Sequence, residues 1–586
     1  MGYKPPLEDI EFTLANIADL ESISKLNGFQ HADLATVSGV LEEAGRFFSE
    51  VIAPLNRIGD QQGSKLQPDG TVKTPEGFKA AYAKFVEAGW GGVHIPEQWG
   101  GGGMPYTVGV VVQEMFKSAN MAFSLCPLLT QASIEALMSH GSPEQQAQYL
   151  EKLVTGEWSG TMCLTESQAG SDVGALSTRA EPQKDGTYRL FGQKIFITWG
   201  EHDMSQNIIH LVLARTPGAA PGTKGISLFL VPKLIPDAEG KPGEANDLNV
   251  VSIEHKMGIH ASPTCVLSFG DKGEGAVGHL IGEEQSGMRY MFTMMNTARV
   301  GVGVEGLSIS EAAYQKALEF AHVRKQGRDL GSTEDVVIFE HPDVRRMLLT
   351  MRAYKEAVRG LIYMNARQVD LERHAETSEE REKAAEVGAL LTPITKAWST
   401  DVGVEMASLG IQVHGGMGFI EETGAAQFYR DIRIAPIYEG TNGIQSIDLV
   451  TRKIGMRQGG VAKDLFDRIE TEAVAAGETL ADISAPLLAA LSGLREATDH
   501  LLAANDPNES LAGATPYLEM FGLVIGGWVH LQSAVAAQTT LKNGDDAFLS
   551  GRVGLARFYN TQILPQALGL LSAVTAPSTQ LDGAFL

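Results

Sequence analysis

Apolar positions recur three and four residues apart in DLATVSGVLEEAGRFFSEVIAPL and again in FKAAYAKFVEAG, so the spacing predicts helices through most of residues 34–160. A Gly- and Pro-rich loop at 89–105, GWGGVHIPEQWGGGGMP, interrupts them before a second helical block, TVGVVVQEMFKSANMAFSLCPLLTQASIEALMSH. The texture changes near 159. From there to about 280 the chain runs in short β-branched and aromatic segments: TYRLFGQKIFIT, NIIHLVLART, GISLFLVP, LNVVSIEH and TCVLSFG. Turn signals at Asp185-Gly186, Pro217-Gly218 and Pro242-Gly243 separate several of them. No helices alternate with the strands, which predicts an antiparallel rather than a parallel sheet. Residues 285–455 return to a helical pattern, and the charge-dense run 367–386 reads as a solvated helix–turn–helix link. Beyond 456 the chain is Ala- and Leu-rich and helical, with breaks expected at Asn505–Asn508 and Asn543–Asp546. Its most apolar stretch, 517–538, contains Glu519, His530 and Gln532, which favours a buried core helix over a membrane span.

The expected fold is mainly α with a middle antiparallel β domain and a C-terminal helical extension. The expected boundaries are an arm over 1–33, a helical domain over 34–158, the β domain over 159–282, a second helical domain over 283–455 and the extension over 456–586.

Composition narrows the partners. With 47 basic against 71 acidic residues the net charge is −24, a surface that repels nucleic-acid phosphates and anionic lipid. Any anionic ligand therefore needs a locally basic site. Cys126, Cys163 and Cys265 are far apart, in apolar settings and without metal-like spacing, so they are expected to be buried thiols in a reducing compartment, the cytoplasm, with no metal. The start, MGYKPPLEDIEF, lacks the basic-then-apolar order of a secretory signal, and Pro6 breaks a myristoylation pattern.

Four segments could carry chemistry. GVGVEG at 301–306 fits G-x-G-x-x-G but lies inside a long helical pattern, so its glycines are read as helix-packing residues, not as a dinucleotide fingerprint. The segment CLTESQAGSDVGALST at 163–178 gathers hydroxyls and backbone amides suited to a phosphate or the edge of a polar ring, although Gly, Ser and Asp are also plain turn formers. KIFITWG at 194–200 puts an aromatic ring and a hydroxyl at alternate strand positions, on one face. The stretch 412–445, QVHGGMGFIEETGAAQFYRDIRIAPIYEGTNGIQ, ends with a carboxylate, Glu439, poised before a helix start.

In order and separation, the segments at 163–178, 194–200 and 412–445, together with Arg324, resemble the acyl-CoA dehydrogenase family over roughly 35–455. The added arm and extension are similar to a long-form subgroup whose members include a 3-methylmercaptopropionyl-CoA dehydrogenase. The resemblance implies a C-terminal four-helix domain, FAD as cofactor, and α,β-dehydrogenation of an acyl-CoA to the trans-2-enoyl-CoA. It makes Glu439 the base that takes the α proton while a hydride leaves the β carbon for flavin N5. It assigns Leu164, Thr165, Gly170, Ser171, Phe196, Thr198 and Thr441 to the cofactor, and Arg324, Gln412, Gly415 and Gly416 to FAD across a subunit interface. Ser171, Phe123, Arg299, Tyr438, Glu439 and Gly440 are assigned to the substrate, with the Glu439 backbone N–H helping to hold the thioester oxygen. In a minority of the family the base precedes the conserved Arg; that position is Ala298 here, which favours Glu439. Two departures stand out: Arg-x-x-Phe-Gly reads Arg324-Lys325-Gln326-Gly327-Arg328, and Gly443 replaces an acidic or amide residue. The resemblance also implies an electron-transfer flavoprotein as acceptor and a homo-oligomer, with a homodimer expected because the helical extension would substitute for the second dimer of the family's usual tetramer. Rival readings are an acyl-CoA oxidase, a straight-chain acyl-CoA dehydrogenase, a nitroalkane oxidase (which would carry Asp at the base) and a non-catalytic flavin-binding protein.

Overall fold

The computed structural model describes residues 2–328, 333–541 and 546–585. Its N-terminal helical part is built around two inner helices, α1 (Tyr106–Ala119) and α2 (Met121–His140). Every residue of α1 is buried. The two would run on as one helix but for Asn120, whose extended backbone (φ −163°) stops the first and whose side chain accepts the Phe123 N–H at 3.1 Å to cap the second.

The middle domain is one eight-stranded sheet: β1 (Trp158–Cys163), β2 (Arg179–Pro182), β3 (Tyr188–Thr198), β4 (Asn207–Ala214), β5 (Ser227–Pro232), β6 (Leu248–Ile253), β7 (Thr264–Phe269) and β8 (Ala276–Leu280). The order is β6-β7-β3-β8-β5-β4-β1, with β2 paired to β3. Pairing is antiparallel except between β1 and β4, which run parallel from Trp158↔Asn207 to Cys163↔Val212. That exception corrects the sequence expectation. The chain between β1 and β4 makes β2 and β3 before returning, so it crosses over without a helix. The turns at Asp185-Gly186 and Pro217-Gly218 form with Gly186 at φ +85° and Gly218 at φ +77°. Pro242-Gly243 does not: it lies inside a short strand, Pro242–Ala245, and the turn falls earlier at Gly240, φ +72°. A register shift between Cys265 and Leu267 marks a bulge of β3 at Ile195–Phe196, opposite Val266 of β7.

The second helical part consists of α3 (Gly287–Val323), α4 (Pro342–His374), α5 (Ser378–His414) and the short α6 (Asn442–Asp448). The α4–α5 link matches the charge-dense run, and Thr377 with Glu380 forms a reciprocal cap at the start of α5. The GVGVEG glycines lie within α3. A Cβ on Gly303 would stand 2.6 Å from the Thr395 carbonyl oxygen, and one on Gly306 only 1.9 Å from that of Ser399. The two helices therefore meet backbone to backbone. Gly306→Ala is expected to cost at least the ~1–3 kcal/mol of ordinary overpacking, because helix backbone cannot yield as a side chain can. A lowered denaturation midpoint with unchanged unfolding slope would register it.

The extension is not a loose appendage. Its long helix α7 (Ala514–Leu541) is apolar and long enough to cross a membrane by composition, yet most of it is buried inside the fold. A Cβ on Gly360 of α4 would come within 2.3 Å of Val529, and one on Gly522 within 2.3 Å of Trp398, so α7 lies tight against α4 and α5. One continuous core joins the arm (Ile10, Leu14, Ile23), α3–α5 and the extension. Of the break expected at Asn505–Asn508, residues 505 and 506 lie between helices Ala481–Ala503 and Pro507–Ala512, and Pro507 and Asn508 open the second of them. Of the break expected at Asn543–Asp546, residues 543–545 lie outside the described residues; Asp546 caps helix Ala547–Phe558, accepting the Leu549 N–H at 3.0 Å.

Candidate active site

Chain leaving helix Ala425–Ile432 turns through Tyr438-Glu439-Gly440 into α6. Glu439 has φ +54° and Gly440 φ +81°, both left-handed. For a glutamate this costs on the order of 1–3 kcal/mol, so the surroundings must impose it. Several contacts do. The Asn442 side chain donates to the Ala397 carbonyl (3.1 Å) and to Asp401 Oδ1 (2.8 Å), and accepts from Lys396 Nζ (2.9 Å). The Asn442 N–H donates to the Pro436 carbonyl at 2.9 Å, and Gln445 Nε2 to the Gly440 carbonyl at 3.3 Å. Gly440 needs its missing side chain: a Cβ there would sit 2.8 Å from Gln445 Nε2 and 3.6 Å from Arg299 Nη2.

Two cations face Glu439: Arg299 from α3 and Lys396 from α5. Burial raises the Glu439 pKa above the ordinary carboxylate value, and Arg299 and Lys396 pull it part of the way back. Burial lowers Lys396 to about 8, with Glu439 and Glu305 opposing. Arg299 is buried and its pKa is lowered; its Nε has no hydrogen-bond partner among the described residues, and Nη1 reaches Asn296 Oδ1 only at 3.5 Å. A carboxylate of raised pKa, aimed by a strained turn and flanked by cations, suits proton abstraction next to a developing negative charge. Ala298 is buried beside Arg299 and offers no competing base.

The loop after β1 carries Leu164, Thr165, Gly170 and Ser171. Leu164 and Thr165 are half-buried, and Gly170 and Ser171 are exposed. The loop is anchored from below by Glu166, a buried residue that sequence reasoning did not single out. Its carboxylate accepts from Lys194 Nζ (2.8 Å), the Ser177 N–H (2.7 Å) and Thr178 Oγ1 (2.6 Å), while Lys194 also donates to the Leu164 carbonyl at 2.9 Å. Burial works against the charged form of Glu166, but Lys194 and these hydrogen bonds outweigh it and hold its pKa well below the usual range. Beside the loop, the bulge at the end of β3 turns Phe196 outward at φ +59° with its ring 58% exposed. Thr198, two residues on, is half-buried.

Arg324, Gln412, Gly415 and Gly416 come together at the far ends of α3 and α5, lining a cleft of about 650 Å³ with Gln326, His414 and Met417. A Cβ on Gly415 or Gly416 would meet nothing within 4 Å, so a ligand can approach their backbone closely. Gly327, where the family pattern has Phe, takes φ +76° with the His341 ring 3.4 Å from its would-be Cβ. An outward aromatic face, a loop of small and hydroxyl residues, and a separate, mostly apolar cleft edged by Arg324, Gln326 and Gln412 fit a long ligand with a planar ring at one end. Among the described residues no cluster suits a metal ion.

Two assigned residues behave differently from expectation. Phe123 is fully buried in an aromatic cluster, its centroid 5.0 Å from Phe78 and 5.7 Å from Phe116, so the structure makes it core and not an open wall. The Thr441 side chain caps α6, accepting the Ile444 N–H at 3.1 Å. Lys117, Glu305 and Lys396 were missed; each is a charge within a largely apolar helical run, the one signal that could have found them.

Four family models match the chain: acyl-CoA dehydrogenase N-terminal domain over 38–157, middle domain over 161–272, C-terminal domain over 285–454, and acetyl-CoA dehydrogenase C-terminal-like over 465–582. The chain is 46% identical to a 3-methylmercaptopropionyl-CoA dehydrogenase of Ruegeria pomeroyi, covering 100% of both, and 35% identical to a butyryl-CoA dehydrogenase of Syntrophomonas wolfei, covering 99% of this chain and 98% of that one. In fold it is similar to Caenorhabditis elegans ACDH-11 in complex with C11-CoA, with TM-score 0.77 and 19% identity over 96% of this chain and 91% of the other.

Proposed function

Because the chain belongs to the acyl-CoA dehydrogenase family, and so catalyses FAD-dependent acyl-CoA dehydrogenation, we propose that its substrate is a short acyl-CoA of the 3-methylmercaptopropionyl type, with Glu439 as the base. The observation that carries the base is the left-handed Glu439 turn between Arg299 and Lys396. The substrate class rests on full-length 46% identity to a 3-methylmercaptopropionyl-CoA dehydrogenase.

Bound FAD supplies the acceptor for the β hydride. The chain's own residues do the rest. Phe196 and Thr198 offer the face for the ring, Leu164 to Ser171 the loop beside it, and Arg324, Gln412, Gly415 and Gly416 the cleft. Glu439 takes the α proton onto its carboxylate. The Glu439 N–H holds the thioester oxygen as charge builds there, and Arg299 and Lys396 stabilise that charge. Exposed apolar Met417, Phe419 and Ile420 border the cleft, which supports a homodimer in which a second copy covers it. Electron-transfer flavoprotein is the proposed acceptor. The three buried free cysteines fit a cytoplasmic protein.

An acyl-CoA panel under anaerobic conditions tests the substrate. Flavin bleaching is expected to be fastest with 3-methylmercaptopropionyl-CoA, with butyryl-CoA next. A preference for long straight chains would sink the assignment, and hydrogen peroxide release during aerobic turnover would favour an oxidase.

A further inference from the structure

Glu305 lies in the middle of α3, fully buried, and has no task in the mechanism above. Its Oε2 accepts a short hydrogen bond from the Tyr438 hydroxyl. Its Oε1 has no hydrogen-bond partner among the described residues, and the nearest cation, Lys117 Nζ from α1, is 3.9 Å away. Lys117 is itself buried, and burial lowers its pKa to about 8 with Glu305 opposing. Enclosing a carboxyl with so little compensation is unfavourable, so stability alone does not explain it. Its one side-chain hydrogen bond among the described residues is to the residue that immediately precedes the base. Tyr438 is thereby held at both ends: its N–H donates to the Ile434 carbonyl at 3.1 Å and its hydroxyl to Glu305. A Tyr438 fixed in this way leaves the next residue little choice of backbone angle, and that residue is Glu439 at φ +54°.

We propose that Glu305 is a positioning residue for the base: through Tyr438 it holds the turn in which Glu439 is left-handed, and so aims the Glu439 carboxylate. The catalytic half of this rests on Glu439 being the base; the structural half does not. The groups facing Glu305 are Lys117 from α1, Lys396 from α5, and Tyr438 and Glu439 from the turn. Burial raises Glu305 to about 7; Lys117, the Tyr438 hydrogen bond and Lys396 pull it down, and Glu439 pushes it up. Its charge thus changes near neutrality, yet the contact to Tyr438 survives, because a protonated carboxyl keeps an acceptor oxygen. Shape and acceptor matter here, and charge does not. An amide should therefore serve in its place.

The test uses full-length holoenzyme carrying Glu305→Gln, Glu305→Ala or Tyr438→Phe. Two readouts are taken: hydrogen exchange of the 436–442 amides without substrate, and the rate of flavin bleaching at saturating acyl-CoA. The Ala and Phe variants are expected to exchange faster at 436–442 and to bleach about 10–100-fold more slowly, the scale of an ångström-level misplacement, with substrate affinity changed less. Glu305→Gln should retain slow exchange and most of the rate, and Glu305→Ala combined with Tyr438→Phe should be no worse than either alone. Tyr438→Phe keeps the volume, so it answers even if the Ala variant folds poorly. Wild-type exchange and rate in Tyr438→Phe would overturn the proposal, as would a Gln variant as impaired as Ala. If wild type bleached with no acyl-CoA, the substrate reading would fall, while the exchange readout would still decide the positioning role.

Discussion

Glu439→Gln is expected to leave the protein folded and yellow but to slow flavin bleaching by about 10²–10⁴-fold, the contribution of a positioned proton acceptor. The amide matches the carboxylate in size, so the turn and its contacts to Asn442 and Gln445 stay in place. What disappears is the group that takes the α proton. The same reading fixes the sign of the pH profile. The base works deprotonated, and burial raises its pKa above the ordinary ~4.3 of a glutamate. Wild-type bleaching should therefore be full above that raised value and be lost as pH falls through it. In Glu439→Gln the residual rate should show no such step. Stopped-flow bleaching at fixed ionic strength checks both, and a Gln variant that bleaches at the wild-type rate would remove Glu439 from the chemistry.

Much of this was legible in residue order because the signals are local. The helical period of 34–160 and the packing role of Gly303 and Gly306 follow from spacing alone. What was not legible depends on partners far along the chain. The parallel pairing of β1 with β4 is a choice between strands more than 40 residues apart, and nothing in either strand states it. Phe123 read as a pocket wall because an aromatic in an apolar helix looks the same whether it faces a ligand or Phe78. Lys117, Glu305 and Lys396 were visible as charges within largely apolar helices. That they converge behind Tyr438 and Glu439 is set by the meeting of α1, α3 and α5, which only the fold supplies. The extension looked like an added bundle, because the contact of Gly360 with Val529 joins positions 169 residues apart (529 − 360).

That long-range joining has an electrostatic centre. Arg359, fully buried in α4, donates from Nε and Nη2 to Glu114 Oε1 (3.0 and 2.8 Å) and from Nη2 to Glu311 Oε2 (2.8 Å), and Nη1 also bonds Glu356. Lys355 reaches Glu311 at 2.7 Å and Glu356 at 2.8 Å. Arg552, from the extension, bonds Glu356 Oε2 at 2.7 Å and Asp9 Oδ1, from the arm, at 2.7 Å. Arm, α1, α3, α4 and extension thus share one buried cluster. Arg359→Leu leaves Glu114 enclosed without its main counter-charge and Glu311 with Lys355 as its remaining one, and removing one partner of a buried pair costs about 3–5 kcal/mol. Lysine should not rescue it, because its ammonium cannot present the fork that reaches three carboxylates at once. Urea denaturation of the holoenzyme is the measurement. The midpoint should fall sharply in Arg359→Leu and nearly as far in Arg359→Lys. Adding Glu114→Gln to Arg359→Leu should restore part of the loss, because it deletes a charge that has lost its partner. If the two losses simply added, the cluster would be a set of independent pairs, and the arm and extension would be held by their apolar core alone.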